Sequence, residues 1–254
     1  MSANAESNPT EAARLEQLTT QWDVLLLAKE QSVTIAGPAR NALALRYAPA
    51  IRSYVKALVK DSHDADELAQ EVLVKILHGD FSRSTPERGR FRDLLKVAVR
   101  NLVRNFWLKK NRQAQHNVEL ADIADAASDG LSVDDPLNVS WRNSVLQMTW
   151  LAFEQEERAK RGSTGSIILR LRANHPDDDS AKLAERFAAA TGKPIRADAL
   201  RQQLRRARVR FAQLLIEEVA RGVDKPTPAR VEEELVEIGL IEYVRDFLPH
   251  RHGD

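Results

Sequence analysis

The chain has 254 residues, with 38 Lys+Arg against 37 Asp+Glu and 43% hydrophobic residues, enough for one or two packed domains at roughly 100–200 residues each. The near-complete cancellation of charge excludes a wholly basic nucleic-acid sleeve and a wholly acidic tail, so any polyanion binding has to come from local segregation of charge. The absence of cysteine removes a disulfide framework, a zinc finger and a cysteine nucleophile. With no secretory leader pattern and no run near the ~18 apolar residues of a membrane helix, a cytoplasmic protein without membrane, metal or cofactor is expected.

Glycine and proline cluster at breaks such as Gly37-Pro38, Gly79, Pro86 to Gly89, Gly130 to Pro136, Gly162 to Gly165, Gly192 to Pro194 and Gly222 to Pro228. Between them apolar residues keep helical spacing, for example Tyr47, Ile51, Tyr54, Val55, Leu58 and Val59, with no sustained period of two. The expected fold is all-α. After an amino-terminal helical segment (1–40), a helix over Ser62 to Leu77, capped by Ser62 or Asp64, carries Ala65, Leu68, Ala69, Val72 and Ile76 inward and Asp64, Glu67 and Glu71 outward. The next helix, about Arg90 to Lys110, is expected to bury Phe91, Leu95, Ala98, Leu102 and Phe106. Its Arg92, Lys96, Arg100 and Arg104 follow i,i+4 spacing, which puts four positive charges along one side. From Asn117 to Ser140 acidic residues appear without one Lys or Arg, and 113–140 reads as an acidic linker. A second helical domain spans 141–221, and 222–254 is an extension of short amphipathic helices.

Two stretches break the charge balance, Phe81 to Arg112 and Lys182 to Arg210, and both suit phosphate backbones. In the second, Ser180 to Ala188, a turn with Gly192-Lys-Pro, and a helix from Arg196 have the form of a helix-turn-helix. Leu200, Leu204, Ala207 and Phe211 make the inner face of that helix. This leaves Arg201, Gln202, Arg205, Arg206 and Arg208 to reach phosphates and base edges, for which Arg and Gln are the bidentate residue types. In the first stretch Phe91 and Phe106 suit a core, while Trp107 and the loop Gly79 to Arg90 suit contact with a single strand, whose bases stack on exposed rings. A solvated helix face is the bland reading of either run taken alone.

Three strings, Arg46-Tyr-Ala-Pro-Ala-Ile-Arg-Ser-Tyr, Asp64-Ala-Asp-Glu-Leu-Ala-Gln-Glu-Val and Phe91-Arg-Asp-Leu-Leu-Lys-Val-Ala-Val-Arg-Asn, resemble region 2 of bacterial sigma factors. The resemblance is to the extracytoplasmic-function (ECF) group of the sigma-70 family. It runs through 41–112 and resumes as region 4 over 141–221. It implies that Asp64, Asp66, Glu67, Leu68, Gln70 and Glu71 dock on the β′ clamp helices of core RNA polymerase. It implies that Arg92, Lys96, Arg100, Asn101, Arg104 and Trp107 hold the promoter −10 element, with a base extruded. By the same resemblance Arg196, Arg201, Gln202, Arg205 and Arg206 read the −35 element as a duplex, and the partners become core polymerase (β′ clamp helices and β flap), promoter DNA, and an anti-sigma factor or other regulator. The acidic linker corresponds to the segment that threads toward the polymerase active centre. The sequence departs from the family pattern at Asn105, where Asp is frequent, and at Thr191 to Asp198, where a shorter turn is usual.

The implied protein is a promoter-specificity subunit and not an enzyme, with no catalytic residue. A conventional helix-turn-helix regulator is the alternative, although it leaves the acidic helix and the first basic helix unexplained. His63, Glu67 and Glu71 have the spacing of three metal ligands on one helical face, which solvated helix charges explain equally well, and His250 and His252 suit a chain end. The Glu232 to Glu234 run of the extension is expected to shield the basic recognition helix.

Overall fold

The computed structural model describes residues 33–78, 90–114, 135–160 and 162–248. Residues 1–32, the loop 79–89, linker residues 115–134 and the histidines at 250 and 252 lie outside them. The regular elements among the described residues are all helices: α1 Val33–Leu58, α2 Ser62–His78, α3 Phe91–Ala114, α4 Pro136–Ala159, α5 Gly165–Asn174, α6 Ser180–Thr191, α7 Ala197–Ala220, α8 Pro228–Glu237 and α9 Ile241–Val244, with a 3-10 turn Arg245–Phe247. Their one β-type pairing is an isolated antiparallel bridge between Arg90 and Val223. The chain divides into two compact units, Met1–Val145 with Val219–Glu242 and Pro249–Asp254, and Leu146–Glu218 with Tyr243–Leu248.

Three details differ from the sequence reading. Gly37-Pro38 is not a break, because α1 runs through it. The acidic linker ends before Pro136, which opens α4, where Asp135 caps the helix by accepting the Leu137 N–H at 2.8 Å. The start of α2 is capped by neither Ser62 nor Asp64 but by Asp61, whose Oδ1 accepts the His63 and Asp64 N–H groups at 2.9 Å each. Those N–H groups have no acceptor within the helix, and their bonds hold the Asp61 pKa below the carboxylate range.

In the first unit α1, α2 and α3 pack around Ile51, Tyr54, Val55, Leu68, Val72, Ile76 and Leu95, all buried. Tyr47 stacks on Trp141 with ring centroids 4.5 Å apart, and Phe91 lies tilted 5.3 Å from Tyr47, so the start of α4 belongs to this core. So does the first part of the extension. Beyond α7 the Gly222 carbonyl accepts the Phe91 N–H at 2.9 Å, and Val231, Leu235 and Ile238 of the α8 segment are buried. Residues 219–242 are therefore part of the first unit rather than an appendage outside it.

The second unit holds Ile168 of α5, Leu183, Ala184 and Phe187 of α6, and Leu200 and Leu204 of α7 in one cluster. Asp179 caps α6 by accepting the Lys182 N–H at 2.8 Å, and Gly192 ends it at φ +69°, a left-handed conformation that glycine adopts without a Cβ penalty. Residues 192–196 then lead into α7.

Candidate nucleic-acid interface

On α2 the outward residues Asp66, Glu67, Gln70 and Glu71 are exposed, whereas Leu68 is buried in the core with Ala65, Ala69 and Val72. Leu68 therefore supports the acidic face from beneath and offers nothing to a partner. The exposed carboxylates make only surface pairs, Asp66 with Lys56 at 3.1 Å, Glu67 with His63 at 3.4 Å and Glu71 with Lys75 at 3.8 Å. Pairs of this kind contribute about 0–1 kcal/mol and leave the carboxylates available to an incoming cation. Asp64 is half-buried and holds Lys110 at 2.5 Å. With Glu67, Glu71, Phe106 and Lys109 it lines an open groove of about 600 Å³ between α2 and α3. The three-ligand reading of His63, Glu67 and Glu71 has no counterpart in the geometry: no group of three His, Asp or Glu among the described residues is placed to hold a metal ion.

The helix α3 is rotated about its axis relative to the expected face. Its buried line is Phe91, Leu95, Val99 and Val103, while Ala98, Leu102 and Phe106 are only half-buried. The rotation takes Arg92 and Lys96 inside, which corrects the expectation of four solvent-facing charges. Arg92 is 1% exposed: its Nε and Nη2 donate to the two oxygens of Glu234 at 3.0 Å each, Nη2 also reaches Glu237 at 2.6 Å, and Nη1 donates to Asn138. Arg90 joins the same group through Glu234 at 3.0 Å and through Glu237. Burial works against the Arg92 charge, but the Glu234 and Glu237 carboxylates outweigh it and raise its pKa above the ordinary arginine value. Lys96 pairs with Asp135 at 2.9 Å, and Arg100, half-buried, donates from Nε to the Tyr54 hydroxyl at 3.0 Å.

What α3 presents to solvent is a different set: Val97, Asn101, Arg104 and Asn105, with Trp107 half-buried beside them and Lys109 and Lys110 exposed further along. Val97, at 58% exposure, was not among the sequence candidates. Trp107 packs edge-on to Phe106 at 5.5 Å, and the Lys110 ammonium stands 5.4 and 5.5 Å from the two ring centroids. The stripe is thus polar, with one exposed apolar side chain and a half-buried ring at its end.

In the second unit Arg196, Arg201, Gln202, Arg205, Arg206 and Arg208 are all exposed. Among them Arg196 makes a surface pair with Asp198 at 3.1 Å. The inner face is fixed by Leu200, Leu204 and Ala207, all buried. Phe211 is half-buried and packs against Trp150 at 4.7 Å between ring centroids. Arg210, on the same helix, is committed to Glu156 through Nε at 2.8 Å. The start of α5 is held by Glu157, whose carboxylate accepts the Gly165 N–H at 2.7 Å, the Ser166 N–H at 2.6 Å and the Ser163 hydroxyl at 2.6 Å. A Cβ at Gly165 would lie 2.5 Å from the Glu157 Oε1, so a larger residue there would displace the carboxylate.

The acidic residues of α2, the short stripe of α3 and the arginines of α7 are thus three exposed faces of different charge. No helix among the described residues is long and apolar enough to cross a membrane. Residues 43–113, which hold most of α1 together with α2 and nearly all of α3, match the sigma-70 region 2 family. No curated protein and no solved structure matches the chain. The chain thus carries a sigma-70 region 2, a domain of RNA polymerase sigma factors.

Proposed function

We propose that this chain, built on a sigma-70 region 2, is an RNA polymerase sigma factor of the ECF type that binds core polymerase and directs it to promoters. The observation that carries the reading is that one family match, 43–113, takes in both the acidic helix and the basic helix. Those are the two features a duplex-binding regulator would leave without a purpose. In this reading Asp66, Glu67, Gln70 and Glu71 meet basic residues on the polymerase clamp helices, with Asp64 at the edge and Leu68 as the packing beneath. Complementary charge of this kind sets orientation and encounter rate.

Asn101, Arg104 and Trp107 hold the opened −10 strand, while Arg92, Lys96 and Arg100 act from inside by fixing the helix that displays them. Helices α6 and α7 form a region 4 helix-turn-helix. Arg196, Arg201, Gln202, Arg205 and Arg206 contact the −35 duplex, and the same unit offers a surface to the β flap. The protein works by binding in the cytoplasm, without catalysis of its own, and an anti-sigma factor or another regulator sets when it acts.

The test is to mix the full chain with bacterial core RNA polymerase, isolate the complex by size exclusion and assay initiation on a promoter library. A stable complex with promoter-selective initiation is expected. Tight duplex binding by the free chain, with no complex, would move the assignment to a helix-turn-helix regulator.

A further inference from the structure

The last described residues of the second unit share a cavity with the arginine face of α7. The 3-10 turn Arg245–Phe247 follows Val244, which is fully buried and anchors the turn. Phe247, half-buried, lines a cavity of about 450 Å³ together with Arg172, Arg201, Leu204, Arg205 and Arg208. Arg201, Arg205 and Arg208 are spaced i, i+4, i+7 and form one flank of the outward face of α7. Gln202 and Arg206 lie on the other flank.

A helix with its side chains is about 10–12 Å across, and the DNA major groove is about 12 Å wide. Once α7 fills the groove, no second element fits alongside it at the same level. A turn whose Phe247 walls the same cavity as Arg201, Arg205 and Arg208 therefore competes with the groove wall, and with the phosphates that those guanidiniums would reach. The buried side of α7 is held independently by Leu200 and Leu204 against Leu183, Ala184 and Phe187 of α6. Displacing the turn therefore leaves the helix in place.

We propose that the turn Arg245–Phe247 is an autoinhibitory strap that restricts access of duplex DNA to the Arg201–Arg205–Arg208 flank of α7 in the free protein. The strap rests on the reading of α7 as a duplex-binding helix. It also relocates the shielding expected of the extension. Glu233 and Glu234 of α8 are turned to Arg90 and Arg92 of the first unit, and the segment that shares a cavity with the arginines of α7 carries an aromatic ring instead. Promoter binding by the free chain is thereby kept low.

The experiment measures anisotropy of a fluorescein-labelled random-sequence DNA duplex with the full chain free of polymerase. Wild type is compared with Phe247→Ala, Arg201→Ala/Arg205→Ala and the triple variant, each checked for an unchanged melting transition. Phe247→Ala is expected to tighten binding by about tenfold, equivalent to about 1.4 kcal/mol, and the triple variant to lose that gain. Phe247→Leu, which keeps a bulky apolar side chain, should stay near wild type and guards against an effect of misfolding. Binding by Phe247→Ala equal to or weaker than wild type, while Arg201→Ala/Arg205→Ala weakens it, overturns the strap and leaves the duplex-binding reading intact. If Arg201→Ala/Arg205→Ala binds the duplex as wild type does, the reading of α7 fails and the strap fails with it.

Discussion

Replacing Glu234 by alanine removes the centre of a buried ionic group while leaving both arginines in place. Glu234 is 3% exposed and accepts from Arg92 Nε and Nη2 at 3.0 Å each, and its second oxygen also faces Arg90 Nε at 3.0 Å. Removing one partner of a buried pair costs about 3–5 kcal/mol, because the remaining charge is left desolvated. Here Arg92 keeps Glu237 and Asn138, and Arg90 keeps Glu237, so the expected loss lies at the lower end, about 3 kcal/mol.

At roughly 2–4 °C per kcal/mol for a domain of this size, the melting transition should fall by about 6–12 °C. Glu233→Ala is the matched reference. Its side chain is 63% exposed and pairs with Arg90 at only 3.9 Å, so its loss should cost no more than about 0.5 kcal/mol. Thermal unfolding followed by far-ultraviolet circular dichroism measures the total. Hydrogen exchange of the α3 and α8 amides then shows whether the loss is in the first unit, where local opening free energies fall if the group is broken. Equal transitions for the two variants, or exchange unchanged in α3, would refute the assignment of the extension to the region 2 core.

Other expectations follow from the same geometry. Arg92→Ala should destabilise the first unit by a similar amount, about 3 kcal/mol, whereas Arg104→Ala should leave stability within about 0.5 kcal/mol and weaken binding of a single-stranded −10 oligonucleotide, read by fluorescence anisotropy. Glu67→Ala/Glu71→Ala should lower affinity for core polymerase with an unchanged melting curve, because both side chains are exposed; size exclusion with polymerase and thermal unfolding check the two halves. Burial works against the charge of Glu237, but hydrogen bonds from Arg90 and Arg92 outweigh it and hold its pKa below the ordinary 4.5. Asp135 is likewise held below 3.8, with the Lys96 hydrogen bond and the Leu137 N–H overcoming burial. Both groups are depressed in the folded state, so their stabilisation is complete above the ordinary values and is lost as pH falls through the folded ones; Glu237→Gln should flatten that acid limb in denaturation measured between neutral pH and about pH 2. Removing the α5 cap by Glu157→Ala should cost the second unit about 1–2 kcal/mol, visible as faster hydrogen exchange at Gly165 and Ser166.

Much of the architecture was legible in the sequence, because helical periodicity is a local property. Spacing of apolar residues announced α2, α6 and α7, and Gly192 announced the end of α6. The outward acids of α2 and the outward arginines of α7 could be named because on both helices the apolar stripe is unambiguous and everything opposite it must face solvent.

On α3 the same argument failed. Two apolar lines run side by side, Ala98–Leu102–Phe106 and Leu95–Val99–Val103, and composition does not say which is buried. What decided between them was the placement of Glu234, Glu237 and Asp135, residues distant in sequence whose carboxylates let Arg92 and Lys96 go inside. A buried cation is tolerated only with its partner in place, and pairing at 142 residues' separation leaves no periodic trace. The sequence alone thus determined the helices α2, α3, α6 and α7, and the kinds of side chain that α2 and α7 present outward. Only the tertiary structure decided which cations of α3 are free, that the extension completes the first unit, and that Phe247 stands beside the arginines of α7, because each depends on which distant groups satisfy a buried charge or cover an exposed face.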